Sequence, residues 1–537
     1  MNLEPVWWRD GIIYQIYPRS FADSNGDGIG DLNGILSRLD YLAWLGVDAI
    51  WLSPIYPSPD VDFGYDVADY VDIDPKFGTL ADFDRLVAEA HARGIRVVLD
   101  LVLNHTSDQH RWFQESRASL DNPYRNYYFW REPKPGGKPP NNWLSIFGGE
   151  GWTPDPATGQ MYFHTFYREQ PDVNWRNPAV RAEMLNVFRF WLERGVDGFR
   201  LDVFNGYFKQ ADLRDNPVRF FGLRPYDRQD HIHDCDQPEM FPLLREIRAL
   251  LDEQPGRYAV GETFLGGAQR AARYCGEDLL NATFNFNILG CGWNPAAYLR
   301  VIQEWERLLD GRAWPTYVLN NHDIRRSASR FGRGQSDERL KAAAAMLLTL
   351  RGTPFLYYGE EIGQRELRVP HSEIQDPIGR RYWPIYVGRD GCRAPMQWDS
   401  SETGGFSPPG SRPPWLPLHP EWRSRNVASQ QADPASLLNT YRRLIALRRA
   451  HPALQRGMFL PLTPEPRALL AYLRQTKDET LLVVINFSRR RQRYVLGRTL
   501  NHSTLELLFS SRRDALPPRK GDLLVLEPEE ALIFCVA

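Results

Sequence analysis

The chain has 537 residues, of which 42% are hydrophobic and 25% charged, so it can bury a large core and is not a disordered protein. Its net charge of −2 argues against nucleic acid as the main partner, because nucleic-acid-binding proteins carry a basic patch or stripe. Apolar runs stay below the ~18 residues that indicate a transmembrane helix. Residues 1–15 contain an early acid and no apolar signal-peptide core.

The cysteines are far apart in the sequence and include no CxxC pair, so neither a disulfide framework nor a zinc site is predicted. They are Cys235, Cys275, Cys291, Cys392 and Cys535. With no signal peptide and no paired cysteines, the simplest expectation is a reduced protein of the cytoplasm.

A short pattern recurs along the chain, in which a helix ends at a glycine and a buried strand follows directly. It occurs around Gly46, Gly94 and Gly195, and the strands that follow are apolar on both faces, as parallel strands covered by helices are. The predicted strands lie at 13–18, 49–54, 96–103, 198–203, 257–263, 282–286, 315–320 and 354–358. Eight strands alternating with helices predict an α/β fold, the (β/α)8 or TIM barrel.

Two regions do not fit a bare barrel. Residues 104–172, after the third strand, are rich in proline, glycine and aromatic residues and too long for a simple loop, so an inserted domain is predicted there. From residue 458 onward, short apolar runs alternate with charged turns, which predicts a C-terminal antiparallel β-domain. The barrel is therefore predicted in two parts, 1–103 and 173–457, followed by the β-domain at 458–537.

Three acidic side chains follow predicted barrel strands: Asp202 after the fourth, Glu262 after the fifth and Asp323 after the seventh. Catalytic groups of such barrels lie at the C-terminal ends of the strands, so these acids are expected on one rim. Arg200 lies on the same strand face as Asp202 and can keep it ionised. Glu262 has no basic neighbour in the sequence, which suits a proton donor. Clustered carboxylates of this kind indicate glycoside hydrolysis or a metal site.

Several blocks then carry a family resemblance: DLVLNH at 100–105, GFRLD at 198–202, VGET at 260–263 and NHD at 321–323. In this order they resemble the α-amylase superfamily, glycoside hydrolase family 13. QPDVN at 170–174 and GCRAPMQWD at 391–399 resemble its oligo-1,6-glucosidase/α-glucosidase branch, with Val173 and Ala394 replacing the usual leucine and threonine.

The resemblance implies that Asp202 is the nucleophile, Glu262 the general acid/base and Asp323 the stabiliser of the transition state. It also implies a pocket for the non-reducing glucose, lined by Asp62, Tyr65, His105, Arg200, His322 and Arg393. Tyr65 is expected to stack on the sugar ring. Further candidates for the pocket wall are Phe147 and Phe166 of the inserted domain. Taken singly, a tyrosine such as Tyr65 would more often be a core residue.

The segment 23–31, DSNGDGIGD, places oxygen-bearing side chains at alternate positions, which suits a hard cation such as Ca²⁺. It resembles the start of an EF-hand loop, but Gly34 stands at the twelfth position and no EF-hand helices flank it. A glycine-rich solvated turn is the alternative. The family resemblance implies one structural Ca²⁺ or Mg²⁺ and no organic cofactor. The ligands it implies are Asp23, Asn25, Asp27, the Ile29 carbonyl and Asp31.

The resemblance implies a retaining, exo-acting α-glucosidase that removes terminal glucose from short α-glucosides and also transfers it to acceptors. In this branch valine after the nucleophile correlates with α-1,6 linkages, so Val203 predicts α-1,6 over α-1,4 specificity. A sucrose or trehalose isomerase with the same site is the alternative. A non-catalytic, transporter-associated relative is disfavoured, because the chain keeps all three acids and shows no membrane anchor. The sequence leaves the oligomeric state open.

Overall fold

The computed structural model describes residues 5–263, 266–332, 336–497, 500, 503–513, 515, 519, 520 and 522–537. The strands are β1 Ile13–Ile16, β2 Ala49–Leu52, β3 Arg96–Leu101, β4 Trp130–Arg131, β5 Trp152–Pro154, β6 Met161–Phe163, β7 Gly198–Leu201, β8 Tyr258–Gly261, β9 Ala282–Thr283, β10 Thr316–Val318, β11 Thr353–Tyr357, β12 Met458–Pro461, β13 Leu469–Gln475, β14 Thr480–Asn486, β15 Gln492–Val495, β16 Leu505–Ser510, β17 Arg519–Lys520, β18 Leu523–Leu526 and β19 Ala531–Val536.

The α-helices are α1 Trp7–Asp10, α2 Leu32–Ser37, α3 Leu39–Leu45, α4 Leu80–Ala92, α5 Arg111–Ala118, α6 Pro178–Glu193, α7 Met240–Asp252, α8 Ala268–Ala272, α9 Pro295–Leu309, α10 Ser327–Phe331, α11 Glu338–Thr349, α12 Pro377–Tyr382, α13 Val427–Ala432, α14 Leu437–Ala450 and α15 Pro452–Arg456. Among the described residues, none of these helices combines the length and the apolar composition needed to span a membrane.

The central sheet has the strand order β10-β11-β1-β2-β3-β7-β8-β9, and its paired neighbours run parallel. The two end strands are linked because the Thr316 hydroxyl on β10 donates a hydrogen bond to the Thr283 carbonyl on β9, at 2.8 Å. The barrel is therefore nearly closed. The (β/α)8 prediction is confirmed, and each predicted barrel strand is present.

Local signals explain where the barrel helices begin and end. Gly46 follows α3 with a φ of 94°, a left-handed conformation that glycine adopts without steric cost. Helix α6 begins at Pro178, and the Asn177 side chain accepts a hydrogen bond from the Ala179 amide as its N-cap. The helices pack their apolar faces on the strands; the ring of Phe188 on α6, for example, lies 5.0 Å from that of Phe199 on β7. This packing fixes the strand that leads to Asp202.

The inserted region forms a small antiparallel sheet in the order β4-β6-β5. It returns to the barrel at Asp172, whose carboxylate forms a fully buried ion pair of 2.9 Å with Lys209. Lys209 lies in the loop after β7, and its ammonium also donates to the Gly206 carbonyl at 2.5 Å. The base of the inserted region is thus bound to the loop that follows Asp202.

The C-terminal region consists of two antiparallel sheets, β12-β13-β14-β19-β16 and β15-β18-β17, as the sequence predicted. They share a core whose members include Leu473, Leu482, Leu496, Leu524 and Phe534. Two buried arginines join this region to the barrel at the C-terminal end of α11. Arg448 donates to the Leu348 and Leu350 carbonyls at 3.0 and 3.1 Å, and Arg474 donates to the Thr349 carbonyl. These bonds satisfy carbonyls that a helix end leaves without partners.

Candidate active site

The three acids implied as catalytic lie at the C-terminal rim of the barrel. Asp202 follows β7, Glu262 follows β8 and Asp323 follows β10. The parallel register pairs Leu201 with Gly261, so Asp202 and Glu262 leave adjacent strands at the same level. Neighbouring strands lie ~4.8 Å apart, close to the separation of ~5–5.5 Å that a retaining glycosidase needs between its two carboxyl groups.

Arg200 occupies the centre of this rim and is 1% exposed. Its Nη1 donates to Asp100 Oδ1 at 2.7 Å and to Asp202 Oδ1 at 2.6 Å, and its Nη2 contacts the Glu262 carboxylate. The last contact overturns the expectation that Glu262 has no basic neighbour. The sequence could not show it, because the two residues belong to different strands. One guanidinium therefore serves three carboxylates.

The acids differ in their electrostatic surroundings. Burial raises the pKa of Asp202 to about 6, although Arg200 opposes that rise. Asp323 is also desolvated, but its pKa is held well below the ordinary value by the charges of Arg389 and Arg393. Burial lowers the pKa of His322 to about 3, so its imidazole is neutral near pH 7 and the arginines keep Asp323 ionised. Arg393 Nη2 lies 2.9 Å from Asp323 Oδ1.

Tyr65 and His322 are arranged by a chain of hydrogen bonds. Gln15 donates to His322 Nδ1 at 2.8 Å, which leaves the proton on Nε2. That nitrogen lies 2.6 Å from the Tyr65 hydroxyl, which in turn donates to Asp100 Oδ2 at 3.0 Å. The Tyr65 and His322 rings stack at 5.2 Å with an interplanar angle of 6°. One face of Tyr65 is therefore occupied by His322 rather than available to a sugar.

The other residues implied for the pocket gather on the side of the inserted region. His105 Nε2 lies 3.0 Å from the Tyr65 carbonyl, and Gln170 donates to Asp62 Oδ2 at 3.3 Å. The Phe166 ring lies 4.9 Å from His105 and 5.6 Å from Phe147. Val203 packs in one apolar cluster with Tyr226, Leu144, Ile146 and Phe166. The structure thus brings the implied pocket residues to one place.

Arg389 is a site residue that the sequence interpretation missed. Its Nη2 donates to Asp62 Oδ1 at 2.7 Å, its Nε donates to Asp376 Oδ2 at 2.9 Å, and its Nη1 lies 3.5 Å from Asp323 Oδ1. The ion pair with Asp62 joins the loop after β11 to the loop after β2 across the mouth of the barrel. A signal was available, because Arg389 lies only four residues before Arg393 in the same block.

The loop at 23–31 folds around its own acidic side chains. Asp23 Oδ1 accepts from the Gly26 amide at 2.7 Å and its Oδ2 from the Gly28 amide at 2.9 Å. Asp31 accepts from the Gly34 amide at 2.7 Å and so caps α2. Across the described residues, no group of three or more His, Cys, Asp or Glu side chains is arranged to hold a metal ion. The loop does offer carboxylate, amide and carbonyl oxygens, the donor chemistry of a hard cation.

With this geometry established, comparison with known proteins gives a consistent picture. Residues 15–457 match the family model described as "Alpha amylase, catalytic domain", and residues 459–533 match "Maltogenic Amylase, C-terminal domain". The chain is 47% identical to a probable alpha-glucosidase of Rhizobium meliloti strain 1021, over 90% of each chain. It is 40% identical to an oligo-1,6-glucosidase of Parageobacillus thermoglucosidasius, over 99% of each.

Solved structures agree with these sequence matches. The alpha-glucosyl transfer enzyme XgtA superposes with a TM-score of 0.93 at 40% identity, covering 99% of this chain and 100% of that one. The trehalulose synthase MutB of Pseudomonas mesoacidophila MX-45 superposes with a TM-score of 0.90 at 35% identity and covers 100% of both chains. The similarity therefore extends over the barrel, the inserted region and the C-terminal sheets.

Replacing Arg200 with methionine is expected to destabilise the fold strongly, because Asp100 and Asp202 would remain buried without their counter-charge. Breaking a buried ion pair from one side costs about 3–5 kcal/mol. The unpaired carboxyls would have folded-state pKa values above their unfolded values, so the loss should be larger at pH 7 than at pH 5. Thermal unfolding of both proteins at the two pH values measures this difference.

The matched control is Arg85→Met, which removes a half-exposed arginine from a surface ion pair with Asp82. Surface pairs contribute about 0–1 kcal/mol, so this variant should unfold close to the wild type at both pH values. An Arg200→Met protein as stable as the Arg85 control would contradict the role assigned to the buried guanidinium.

Proposed function

The chain belongs to the α-amylase superfamily, glycoside hydrolase family 13, and from this premise we propose that it is a retaining, exo-acting α-glucosidase of short α-glucosides. The observation that carries the proposal is the pairing of Asp202 and Glu262 at the ends of adjacent strands, with Asp323 facing them across the rim. Two carboxylates at this spacing are the groups that a double-displacement mechanism requires.

In the proposed mechanism, Asp202 attacks the anomeric carbon of the terminal glucose and forms an ester to it. The bond between that carbon and the leaving-group oxygen breaks, and Glu262 gives its proton to that oxygen. Water then attacks the ester carbon, Glu262 takes a proton from the water, and Asp202 leaves as a carboxylate. Two inversions return the α-anomer of glucose.

Asp323 is proposed to stabilise positive charge on the sugar in both transition states. Arg389 and Arg393 keep it ionised, so its negative charge is present before the substrate arrives. A charge that is held in place in advance needs no reorganisation when the oxocarbenium ion develops.

Exo-action is supported by the ion pair between Arg389 and Asp62, which is 2.7 Å long. Both side chains are largely buried, with 10% and 6% of their surface exposed. In the proposal they end the pocket behind the non-reducing glucose, so a chain cannot extend past that sugar. Substrates would then enter with the glucose first and the aglycone towards solvent.

Preference for α-1,6 linkages is proposed from the position of Val203. It follows Asp202 directly, is 7% exposed, and has a left-handed backbone with φ 36° and ψ 37°. A β-branched residue is stiff and strained in this conformation, so its methyl groups are held firmly beside the aglycone. An α-1,6 bond adds a rotatable CH₂ and keeps the second sugar farther from that side chain than an α-1,4 bond does.

Transfer or isomerisation is the second candidate outcome at the same site. It is favoured by the structural similarity to a glucosyl transfer enzyme and to a trehalulose synthase. In either case the glucosyl ester on Asp202 would be captured by a sugar hydroxyl instead of water.

We also propose that the loop at 23–31 binds one structural Ca²⁺ or Mg²⁺ through Asp23, Asn25, Asp27, the Ile29 carbonyl and Asp31. The support is the hard-oxygen donor set within a single short loop. The loop is far in sequence from the three acids, so the ion would stabilise the fold without entering the reaction.

Asp202→Asn keeps the shape of the side chain and removes its charge, so turnover is expected to fall by several orders of magnitude. Added azide should restore release of the leaving group from an activated aryl α-glucoside and give β-glucosyl azide, because a small anion can attack from the vacated face. Mass spectrometry and NMR identify the product. Near-normal turnover, or azide product of the α-configuration, would exclude Asp202 as the nucleophile.

A substrate panel tests the function and the linkage preference together. Maltose, isomaltose, sucrose and trehalose are incubated with the protein, and products are followed by anomer-resolved NMR. We expect α-glucose first and a higher kcat/KM on isomaltose than on maltose. Val203→Ala should shift that ratio towards maltose, within the 10- to 200-fold range that about one misplaced methyl group produces.

Different outcomes of this panel point to different corrections. β-Glucose as the first product would exclude double displacement. Isomerised disaccharides from sucrose or trehalose would favour the second candidate. A wild-type preference for maltose, or a ratio unchanged by Val203→Ala, would remove the proposed role of Val203.

Chelation is expected to lower the melting temperature by a few degrees, because an ion that binds only the folded protein stabilises it by mass action. Activity measured well below the melting temperature should survive. Asp27→Asn keeps the acceptor for the Ile29 amide but removes a charged ligand, so chelation should no longer shift its melting temperature. Immediate loss of activity on chelation at low temperature would indicate a catalytic metal instead.

A further inference from the structure

A hairpin-like loop between β7 and α7 exposes an unusual amount of apolar surface. Val218 bridges to Gln229 in antiparallel fashion, so residues 217–230 form two facing arms. At the tip, Phe220 is 89% exposed, Phe221 82% and Leu223 97%. Single exposed apolar residues are common on protein surfaces, but a contiguous group marks an interaction site.

A second segment of the same kind follows α12. Ile385 is 96% exposed, and Trp383, Tyr386 and Val387 are each about half exposed. Tyr386 interacts electrostatically with Arg389 and Asp323, which places this segment at the rim of the candidate active site.

Both segments are bound to the tip of the inserted region, residues 146–148. Arg224, next to Leu223, donates to the Ile146 carbonyl at 3.1 Å. On the other side, the Tyr382 hydroxyl donates to the Phe147 carbonyl at 3.1 Å. The exposed apolar side chains therefore stand on both sides of this tip.

The apolar character continues inwards to the nucleophile. Tyr226, on the returning side of the hairpin, is 3% exposed and packs against Val203 in the cluster that also contains Ile146 and Phe166. Val203 is bonded to Asp202. Apolar groups thus extend from the residue beside the proposed nucleophile out to the exposed tip of the hairpin.

The glucose side of the site has the opposite character. It is lined by charged and polar groups, and the ion pair between Arg389 and Asp62 ends it. In the proposed binding direction, the leaving group of any bound α-glucoside must point away from that ion pair. It must therefore pass between the two apolar segments.

We propose that this surface binds the aglycone, and that the preferred substrates of the chain are α-glucosides whose aglycone is apolar, such as alkyl or aryl α-glucosides. The inference rests on the proposed α-glucosidase function. The aglycone is the occupant because it alone has to lie there in every turnover. A protein partner on the same surface would cover the exit of the leaving group.

The test compares kcat/KM for hexyl and methyl α-glucoside, both below the concentrations at which micelles form. Burial of added methylene groups makes hexyl α-glucoside the better substrate of the wild type, by about tenfold or more. In a Phe220→Ser/Phe221→Ser/Leu223→Ser variant this ratio should fall to about threefold or less. These side chains are nearly fully exposed, so the variant should fold.

The control variant replaces two exposed apolar residues of the C-terminal region, Met458→Ser and Val495→Ser, which are 59% and 64% exposed. It removes surface apolarity of the same kind away from the barrel rim and should leave the hexyl-to-methyl ratio at the wild-type value. Sedimentation velocity on all three proteins reports whether the hairpin mediates self-association.

Equal kcat/KM values for the two glucosides in the wild type would overturn the inference, as would a ratio that survives the triple substitution. Loss of self-association in the triple variant with an unchanged ratio would assign the surface to a second copy of the chain. Hydrolysis of isomaltose or maltose by the wild type separates these results from failure of the proposed function. In that last case none of the glucosides would release glucose.

Discussion

The buried guanidinium of Arg200 is the interaction on which the catalytic rim depends. Three carboxylates meet at the end of the barrel core, where ionised groups without a partner are costly. The parallel register places Arg200 on β7 directly beside Asp100 on β3, so a cross-strand pair neutralises part of this charge. The same side chain reaches Asp202 and Glu262. The arrangement is a product of the sheet itself, since strand order and register decide which groups become neighbours.

A second electrostatic feature lies above this one. Arg389 and Arg393 hold Asp323 ionised, and Arg389 is itself bound by Asp62 and Asp376. Carboxylates outnumber guanidiniums around the glucose pocket, so the site favours positive charge on the sugar. The loops supply this second group of charges, whereas the strands supply the first.

The division between strands and loops also explains what could be predicted from the sequence. Asp202 and Glu262 directly follow strands with clear local signals, and a parallel sheet brings such strand ends together whatever the loops do. Arg389 lies in a long segment without hydrophobic period. Nothing local distinguishes it from Arg380 and Arg381, which point to the surface while Arg389 is buried among acids. The contact between Arg200 and Glu262 depends on packing between strands and is likewise invisible in a single strand's sequence.

The ion pair between Arg389 and Asp62 has a kinetic consequence. With the inner end of the pocket blocked, one opening serves for entry and for exit. The aglycone has to depart first, since it stands between the glucose and the solvent. The place it vacates is the one through which water reaches the glucosyl ester, and any alcohol that arrives sooner occupies that place instead. Partition between hydrolysis and transfer is then decided by which molecule refills a single compartment, and free glucose is the last species to leave it.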